Sequence, residues 1–188
     1  MLNLPNFVTL IRIVAIPFFL VLLSSDLYLE ALIVFIAGGL TDALDGALAR
    51  MTHQQTSLGA YLDPIADKLL VMSSFVTLGL FKAMPPWLVV LVVSRDIIIM
   101  FGYGVIYFLV EERLVVRPSL IGKLSTVFQL VTVGVVLLFL HDPQLVVVWL
   151  DDFLIFATAL TTVVSGFQYI YRGLVLLQNR APFPTRLS

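Results

Sequence analysis

Four aspartates stand in two closely spaced pairs within apolar sequence, at Asp42, Asp45, Asp63 and Asp67. The members of each pair are three or four residues apart, so on a helix they share one face. Like charges crowded in a low dielectric repel one another and take up protons unless a cation joins them. Because hard oxygen ligands suit Mg²⁺ or Mn²⁺, the pattern predicts a site for two divalent ions. Such ions would hold a diphosphate in line with an attacking hydroxyl.

Small residues and a cation accompany the aspartates. Gly46 and Ala49 continue the face of the first pair, and Gly59 lies four residues before Asp63. Small side chains let a flat ligand or another helix come close. Acids within a membrane also serve ion or proton pathways, so a cation or proton transporter is the alternative. Arg50 and the glycines favour an enzyme, because a proton relay needs neither.

The composition places these residues in an integral membrane protein. Of the 188 residues, 60% are hydrophobic and 12% are charged, and the mean hydropathy is +1.06. A soluble domain of this length carries more polar surface than that. The net charge of −1 argues against nucleic acid as a partner. The chain has no Cys, which excludes disulfides and thiol catalysis.

The elements that must position the aspartates are membrane-spanning helices. A span needs about 20 predominantly apolar residues. The sequence predicts an all-α bundle of six transmembrane helices in a single domain over residues 1–178, followed by a polar tail over 179–188. The predicted spans are 6–24, 29–50, 59–80, 86–110, 119–140 and 148–174.

The placement of Lys and Arg predicts the topology. With a cytoplasmic N-terminus, the outer loops carry only Lys82. The inner ends then carry Arg50, Arg113, Arg117, Lys123, Arg172, Arg180 and Arg186. Both termini are therefore expected in the cytoplasm, and the four carboxylates open toward it. A transit-peptide-like leader is lacking, which favours a bacterial inner membrane over an organellar one.

The aspartate region resembles a known family. Its spacing, D-x2-D-G-x2-A-R-x8-G-x3-D-x3-D, matches without a departure the signature of the CDP-alcohol phosphatidyltransferases. The eight signature positions are Asp42, Asp45, Gly46, Ala49, Arg50, Gly59, Asp63 and Asp67. The resemblance covers nearly the whole chain and implies a six-helix bundle, usually a homodimer, with two divalent metals and CDP-diacylglycerol as the donor.

The resemblance also implies a role for each signature residue. Asp42, Asp45 and Asp63 would be metal ligands. Asp67 would be both a metal ligand and the general base that takes the proton of the acceptor. The residues implied in binding the CDP-lipid are Asp42, Gly46, Ala49, Arg50 and Gly59. The implied reaction is attack by an acceptor hydroxyl on the lipid-side phosphorus, with release of CMP.

The identity of the acceptor depends on other segments. The runs "NLPNFVTLIRIVAIPFF" and "LDPIADKLL" resemble the branch that makes phosphatidylglycerophosphate or cardiolipin. Phosphatidylglycerophosphate synthases typically carry further cations in the fourth span and at the start of the fifth. Here Phe101-Gly102-Tyr103 and Ser125 stand at those places, and the run "RPSLIGKLSTVFQL" is similar to cardiolipin synthases. The sequence therefore predicts cardiolipin synthesis from phosphatidylglycerol, with phosphatidylglycerophosphate synthesis from glycerol-3-phosphate as the alternative.

Three cations are candidates for holding the phosphate of the acceptor: Arg95, Arg117 and Lys123. Two have structural alternatives, since Arg117 would also serve as an inner-face anchor and Arg95 would also pair with the adjacent Asp96. Lys68 directly follows Asp67 and so points off the face of the aspartates. We expect it to snorkel or to balance charge.

Overall fold

The computed structural model describes the backbone of residues 4–52, 57–109 and 119–180, and the side chains of 13–41, 68–102, 119–147, 149–175 and 178. Within these ranges the chain forms six α-helices and one 3₁₀ turn over Pro143–Leu145. The helices are α1 Leu4–Ser24, α2 Tyr28–Thr52, α3 Ser57–Leu80, α4 Pro86–Leu109, α5 Leu120–His141 and α6 Val148–Arg180. Each coincides with one predicted span. Helix α6 continues past the predicted end at 174 and through the first two residues of the predicted tail.

Among the residues whose side chains are described, two helices contain a stretch that is long and apolar enough to cross a membrane. The stretches are Leu120–His141 in α5 and Trp149–Val175 in α6. Shorter apolar stretches occupy the described parts of three other helices, at Ile13–Ser24, Tyr28–Thr41 and Lys68–Leu80. Length and composition thus support two spans, and the full set of six stays a prediction.

Tight turns join the helices in antiparallel pairs. After α1, Leu27 N–H donates to the Leu22 carbonyl (3.0 Å) while Asp26 takes a left-handed conformation with φ 59°. After α3, Ala83 N–H donates to the Leu78 carbonyl (2.9 Å), and Lys82 has the same φ. Both are Schellman-type helix ends, which satisfy the last carbonyls of the helix. They turn the chain back within a few residues.

The apolar core lies at the end of the bundle where these turns are, which we call the turn end. The turn end contains three turns, over residues 25–27, 81–85 and 142–147. Helix residues on either side of all three turns belong to one buried cluster. The cluster includes Leu23, Ala31, Phe35, Leu78, Met84, Leu88, Leu137 and Ile155. The buried polar residues of α4 and the first half of α5 lie farther from these turns along their helices. The bundle is therefore apolar inside at the turn end and more polar inside toward the opposite end.

The outside of the bundle is also apolar. On α6, an exposed stripe with helical spacing comprises Phe153, Phe156, Leu160, Val163, Val164, Phe167, Tyr171 and Leu174. On α4, Val90, Ile97 and Phe101 are exposed in the same way. An exposed apolar surface of this extent is typical of contact with lipid or with another protein. The outward faces of the helices thus fit the membrane setting that the composition predicts.

Core packing can be tested with two adjacent phenylalanines of α1. Phe19 is fully buried, with its ring centroid 5.9 Å from that of Phe35, whereas Phe18 is 57% exposed. We expect Phe19→Ala to lower the free energy of unfolding by about 3–5 kcal/mol, because it leaves a cavity in the core. Phe18→Ala is the matched control and should change the thermal midpoint in detergent much less. Equal effects of the two variants would contradict this description of the core.

Candidate active site

The four predicted metal ligands lie on two uninterrupted helices. Helix α2 runs through Asp42 and Asp45, and α3 runs through Asp63 and Asp67. The helical period therefore holds at both pairs and places each pair on one helix face. Helices α2 and α3 also contact one another.

The residues whose side chains are described do not include the signature residues, among them Gly46, Ala49, Arg50 and Gly59. Their roles as metal and CDP-lipid ligands stay predictions. Among the side chains that are described, no group of three His, Asp or Glu could hold a metal ion. The four aspartates fit a site for Mg²⁺ or Mn²⁺ by their chemistry, because carboxylate oxygens are the donors that these ions prefer.

Lys68, the residue that follows Asp67 in the chain, belongs to a cluster of charged side chains. Asp96 on α4 is fully buried, and its Oδ1 accepts from Lys68 Nζ of α3 (2.9 Å) and from Arg95 Nη1 (2.5 Å). We call these three residues the Asp96 cluster. The Lys68 side chain is 24% exposed and that of Arg95 only 7%. Two cations share one carboxylate, so these three residues together carry one net positive charge.

Arg95 is also held from α6. Its Nη2 donates to the Ser165 hydroxyl (2.5 Å), and its guanidinium carbon lies 5.8 Å from the centroid of the Tyr169 ring. At that distance the ring attracts the cation. The Nε of Arg95 and the Oδ2 of Asp96 have no hydrogen-bond partner among the described residues. A buried N–H without a partner is costly, so this guanidinium has a donor available for an anion.

Helix α5 begins next to the same tyrosine. Ser119 caps the helix by accepting from Gly122 N–H (3.0 Å). A Cβ at Gly122 would lie 3.2 Å from Tyr169 Cε2, so the glycine lets α5 and α6 approach closely. Lys123 is the next residue and is exposed. Tyr169 thus contacts both Arg95 and the start of α5.

A row of hydroxyl and amide groups joins α5 to α6. Ser125 and Thr162 share a hydrogen bond (3.2 Å), and Thr132 and Thr158 share another (2.7 Å). Between them, Gln129 Nε2 lies 3.5 Å from the Thr162 hydroxyl. We call this row the polar seam, and all its members are buried. Ser165 lies one turn beyond Thr162 on α6 and accepts a hydrogen bond from Arg95, so it connects the seam to Arg95.

The predicted acceptor cations have different settings. Arg95 lies inside the bundle and Lys123 at its surface, while Arg117 lies outside the described residues. The structural alternative for Arg95, a pair with Asp96, is present in the structure. Lys68, which we expected to snorkel or to balance charge, forms an ion pair with Asp96.

Sequence reasoning missed Ser165 and Tyr169, as well as the polar seam. The spacing of Ser125, Gln129 and Thr132, by four and then three residues, was the available signal. It marks one face of a helix.

Comparison with known proteins establishes the class. The sequence model of the CDP-alcohol phosphatidyltransferases matches residues 2–164. The chain belongs to this family, whose members are membrane-embedded, and it is a phosphatidyltransferase. The prediction of an enzyme is confirmed, in preference to a transporter.

Several relatives match over most of the chain. A CDP-diacylglycerol–glycerol-3-phosphate 3-phosphatidyltransferase of Bacillus subtilis is 33% identical, over 92% of this chain and 96% of that protein. A probable phosphatidylglycerophosphate synthase of Mycobacterium tuberculosis is 35% identical, over 92% of this chain and 82% of that protein. A probable cardiolipin synthase (CMP-forming) of Drosophila melanogaster is 30% identical, over 90% of this chain and 57% of that protein.

The charge count of the Asp96 cluster can be tested through stability. Asp96→Ala leaves two cations without their anion, so we expect it to lower the free energy of unfolding by about 3–5 kcal/mol. Lys68→Ala leaves the neutral pair of Arg95 and Asp96. Because the ammonium that is lost is partly exposed, we expect the free energy of unfolding to fall by only about 1 kcal/mol. Thermal unfolding in detergent would rank the two variants. A larger effect for Lys68→Ala would show that Asp96 is not the centre of the cluster.

Proposed function

We propose that this chain transfers the phosphatidyl group of CDP-diacylglycerol to a hydroxyl of glycerol-3-phosphate, forming phosphatidylglycerophosphate and CMP. The similarity to the Bacillus and Mycobacterium relatives over nearly the whole chain carries this choice of acceptor. It outweighs the cardiolipin prediction, which rested on a few positions in α4 and α5. The observation that most directly supports an anionic acceptor is the buried guanidinium of Arg95, whose Nε has no partner among the described residues.

The family typically uses a divalent metal. We propose that Asp42, Asp45, Asp63 and Asp67 hold two such ions, Mg²⁺ or Mn²⁺. The donor set fits, because all four residues are carboxylates on continuous helices. When bound, the ions would neutralise the diphosphate of the donor.

The reaction then needs few further groups. Asp67 takes the proton of the acceptor hydroxyl, whose oxygen bonds to the lipid-side phosphorus. The bond from that phosphorus to the bridging oxygen of the diphosphate breaks, and CMP leaves with the bridging oxygen. The small residues Gly46, Ala49 and Gly59 make room for the cytidine nucleotide, Asp42 contributes to its binding, and Arg50 lies beside its phosphates.

The acceptor needs cations on its own side. Glycerol-3-phosphate carries a nearly dianionic phosphate, which favours charge-assisted hydrogen bonds with more than one donor. We propose Arg95, Arg117 and Lys123 for this task. The net positive charge of the Asp96 cluster supports Arg95 in it, because a bound phosphate would supply the missing negative charge.

Cardiolipin synthesis from phosphatidylglycerol is the second candidate. It is favoured by Phe101 and Ser125, which stand where phosphatidylglycerophosphate synthases typically have cations. Phosphatidylglycerol carries a single diester charge and brings its own acyl chains, so it needs fewer cations. The similarity to the Drosophila cardiolipin synthase supports this candidate over a smaller share of the relative.

The setting of the reaction follows from the predicted topology. We propose a homodimer of six-span chains in a bacterial inner membrane, with both termini and the site at the cytoplasmic face. The domain is proposed to comprise residues 1–178, with 179–188 as a tail. Placing the site at that face gives a lipid-linked nucleotide and a water-soluble acceptor access to the same aspartates.

The acceptor can be identified with the purified full chain. We expect CMP release from CDP-diacylglycerol when Mg²⁺ or Mn²⁺ and glycerol-3-phosphate are present, and none after chelation of the metal or without an acceptor. Phosphatidylglycerol in place of glycerol-3-phosphate is the parallel reaction. Release with phosphatidylglycerol alone would establish the second candidate instead. Release with neither acceptor would contradict both.

The two aspartate pairs are expected to differ in a binding assay. Asp67→Asn should reduce kcat by about 10²–10⁴-fold, because it removes the base, while CDP-diacylglycerol still binds because its metals keep the other three carboxylates as ligands. Asp42→Asn should weaken metal and CDP-lipid binding together. Turnover and equilibrium binding of CDP-diacylglycerol would be measured for both. Complete loss of binding in Asp67→Asn would mean that this residue is chiefly a ligand.

A further inference from the structure

We propose that Asp96 is a positioning residue for the acceptor, acting through Arg95. This inference rests on the proposed function, since it assigns to Arg95 the phosphate of the acceptor. Asp96 itself would not contact the acceptor. It would fix the direction in which the guanidinium presents Nε, the nitrogen that has no partner among the described residues.

The contacts of Arg95 leave it little freedom. Asp96 Oδ1 accepts from Nη1, and Ser165 accepts from Nη2, each at 2.5 Å. These partners lie on α4 and α6, so the guanidinium is held from two helices. With both terminal nitrogens engaged and the Tyr169 ring at 5.8 Å, the plane of the group is set. Its Nε, without a partner among the described residues, then has a defined direction.

Charge balance alone does not account for these contacts. The cluster has one anion for two cations, so Asp96 does not neutralise it. Lys68 already supplies Asp96 with a counter-ion from α3, at 2.9 Å. A buried carboxylate that binds a second cation as well gains orientation of that cation, because hydrogen bonds to charged groups are directional and strong. A guanidinium that is fixed before the acceptor arrives loses less freedom on binding it.

Lys68 connects this orientation to the predicted base. It follows Asp67 directly on α3, and its bond to Asp96 joins α3 to α4 at that level. The bond of Arg95 to Ser165 joins α4 to α6. The helix that carries the base and the helix that carries the acceptor cation are thus tied to one carboxylate.

The test separates orientation from charge by steady-state kinetics. Asp96→Asn should raise the KM for glycerol-3-phosphate about tenfold, since an amide holds the guanidinium more weakly than a carboxylate does. The KM for CDP-diacylglycerol should stay within about twofold, because the donor site is elsewhere. Asp96→Glu should restore most of the acceptor affinity, since it restores the carboxylate.

The double variant Asp96→Asn with Lys68→Met decides between the two explanations. It removes one anion and one cation, so the net charge of the cluster stays at +1, as in the wild type. Orientation by Asp96 predicts that the KM for the acceptor stays raised. Recovery of the wild-type KM would mean that charge alone matters, and would overturn the proposal. The double variant also keeps the test open if Asp96→Asn alone does not fold.

A second experiment tests the contact of Arg95 with Ser165 of α6. Ser165→Ala should raise the KM for the acceptor severalfold, because it frees Nη2. Thr161→Ala is the matched control on the same helix, since the Thr161 hydroxyl donates only to backbone carbonyls of its own helix, at Ala157 and Thr158. Equal KM values for both variants and the wild type would contradict the proposal.

The wild-type chain is assayed first with each acceptor. If it releases CMP with neither, the proposed function fails before Asp96 is tested. If it uses phosphatidylglycerol, the same variants are compared with that lipid phosphate as acceptor. An unchanged or lowered acceptor KM in Asp96→Asn, in an active wild-type background, overturns the inference alone.

Discussion

Burying charge in an apolar bundle is the constraint on which this structure depends. A charged group inside a membrane protein is costly unless another group or an ion compensates for it. The Asp96 cluster meets this requirement only in part, because it holds two cations on one carboxylate. The four aspartates of the family signature pose the opposite problem, with four negative charges and cations still to be supplied. In the proposed reaction, an anionic acceptor and divalent metals would supply both kinds of missing charge.

The distribution of side chains along the helices separates stability from chemistry. Near the turn end, Phe19, Phe75 and Leu88 are fully buried in an apolar cluster, and the buried Ser74 hydroxyl donates to a carbonyl of its own helix. Farther along, buried positions are occupied by Arg95, Asp96 and the hydroxyls of α5 and α6. Apolar packing at one end can hold the helices together while the other end carries groups that are poor at stabilising a bundle by themselves.

Much of this arrangement could be predicted from the sequence, and the limits have physical causes. The apolar runs and the polar breaks between them placed all six helices, because a span must be long and apolar. The 100° step between successive helical residues predicted that Lys68 points off the face of the aspartates, and its side chain forms an ion pair with Asp96 of α4. The partners of Arg95 on α6 did not follow, since Ser165 lies 70 residues farther along the chain and nothing local indicates which helices pack together. The acceptor prediction depended on a few missing cations, and similarity over the whole chain favours the alternative.

The hydroxyls between α5 and α6 have a mechanical consequence. Thr132 meets Thr158 and Ser125 meets Thr162 in one alignment of the two helices. Sliding one helix past the other by a turn, about 5.4 Å, would separate every donor from its acceptor in a medium that offers no water to replace them. Apolar side chains alone would have no hydrogen bonds to lose in such a shift. These hydrogen bonds therefore favour one alignment of α5 against α6 over its neighbours.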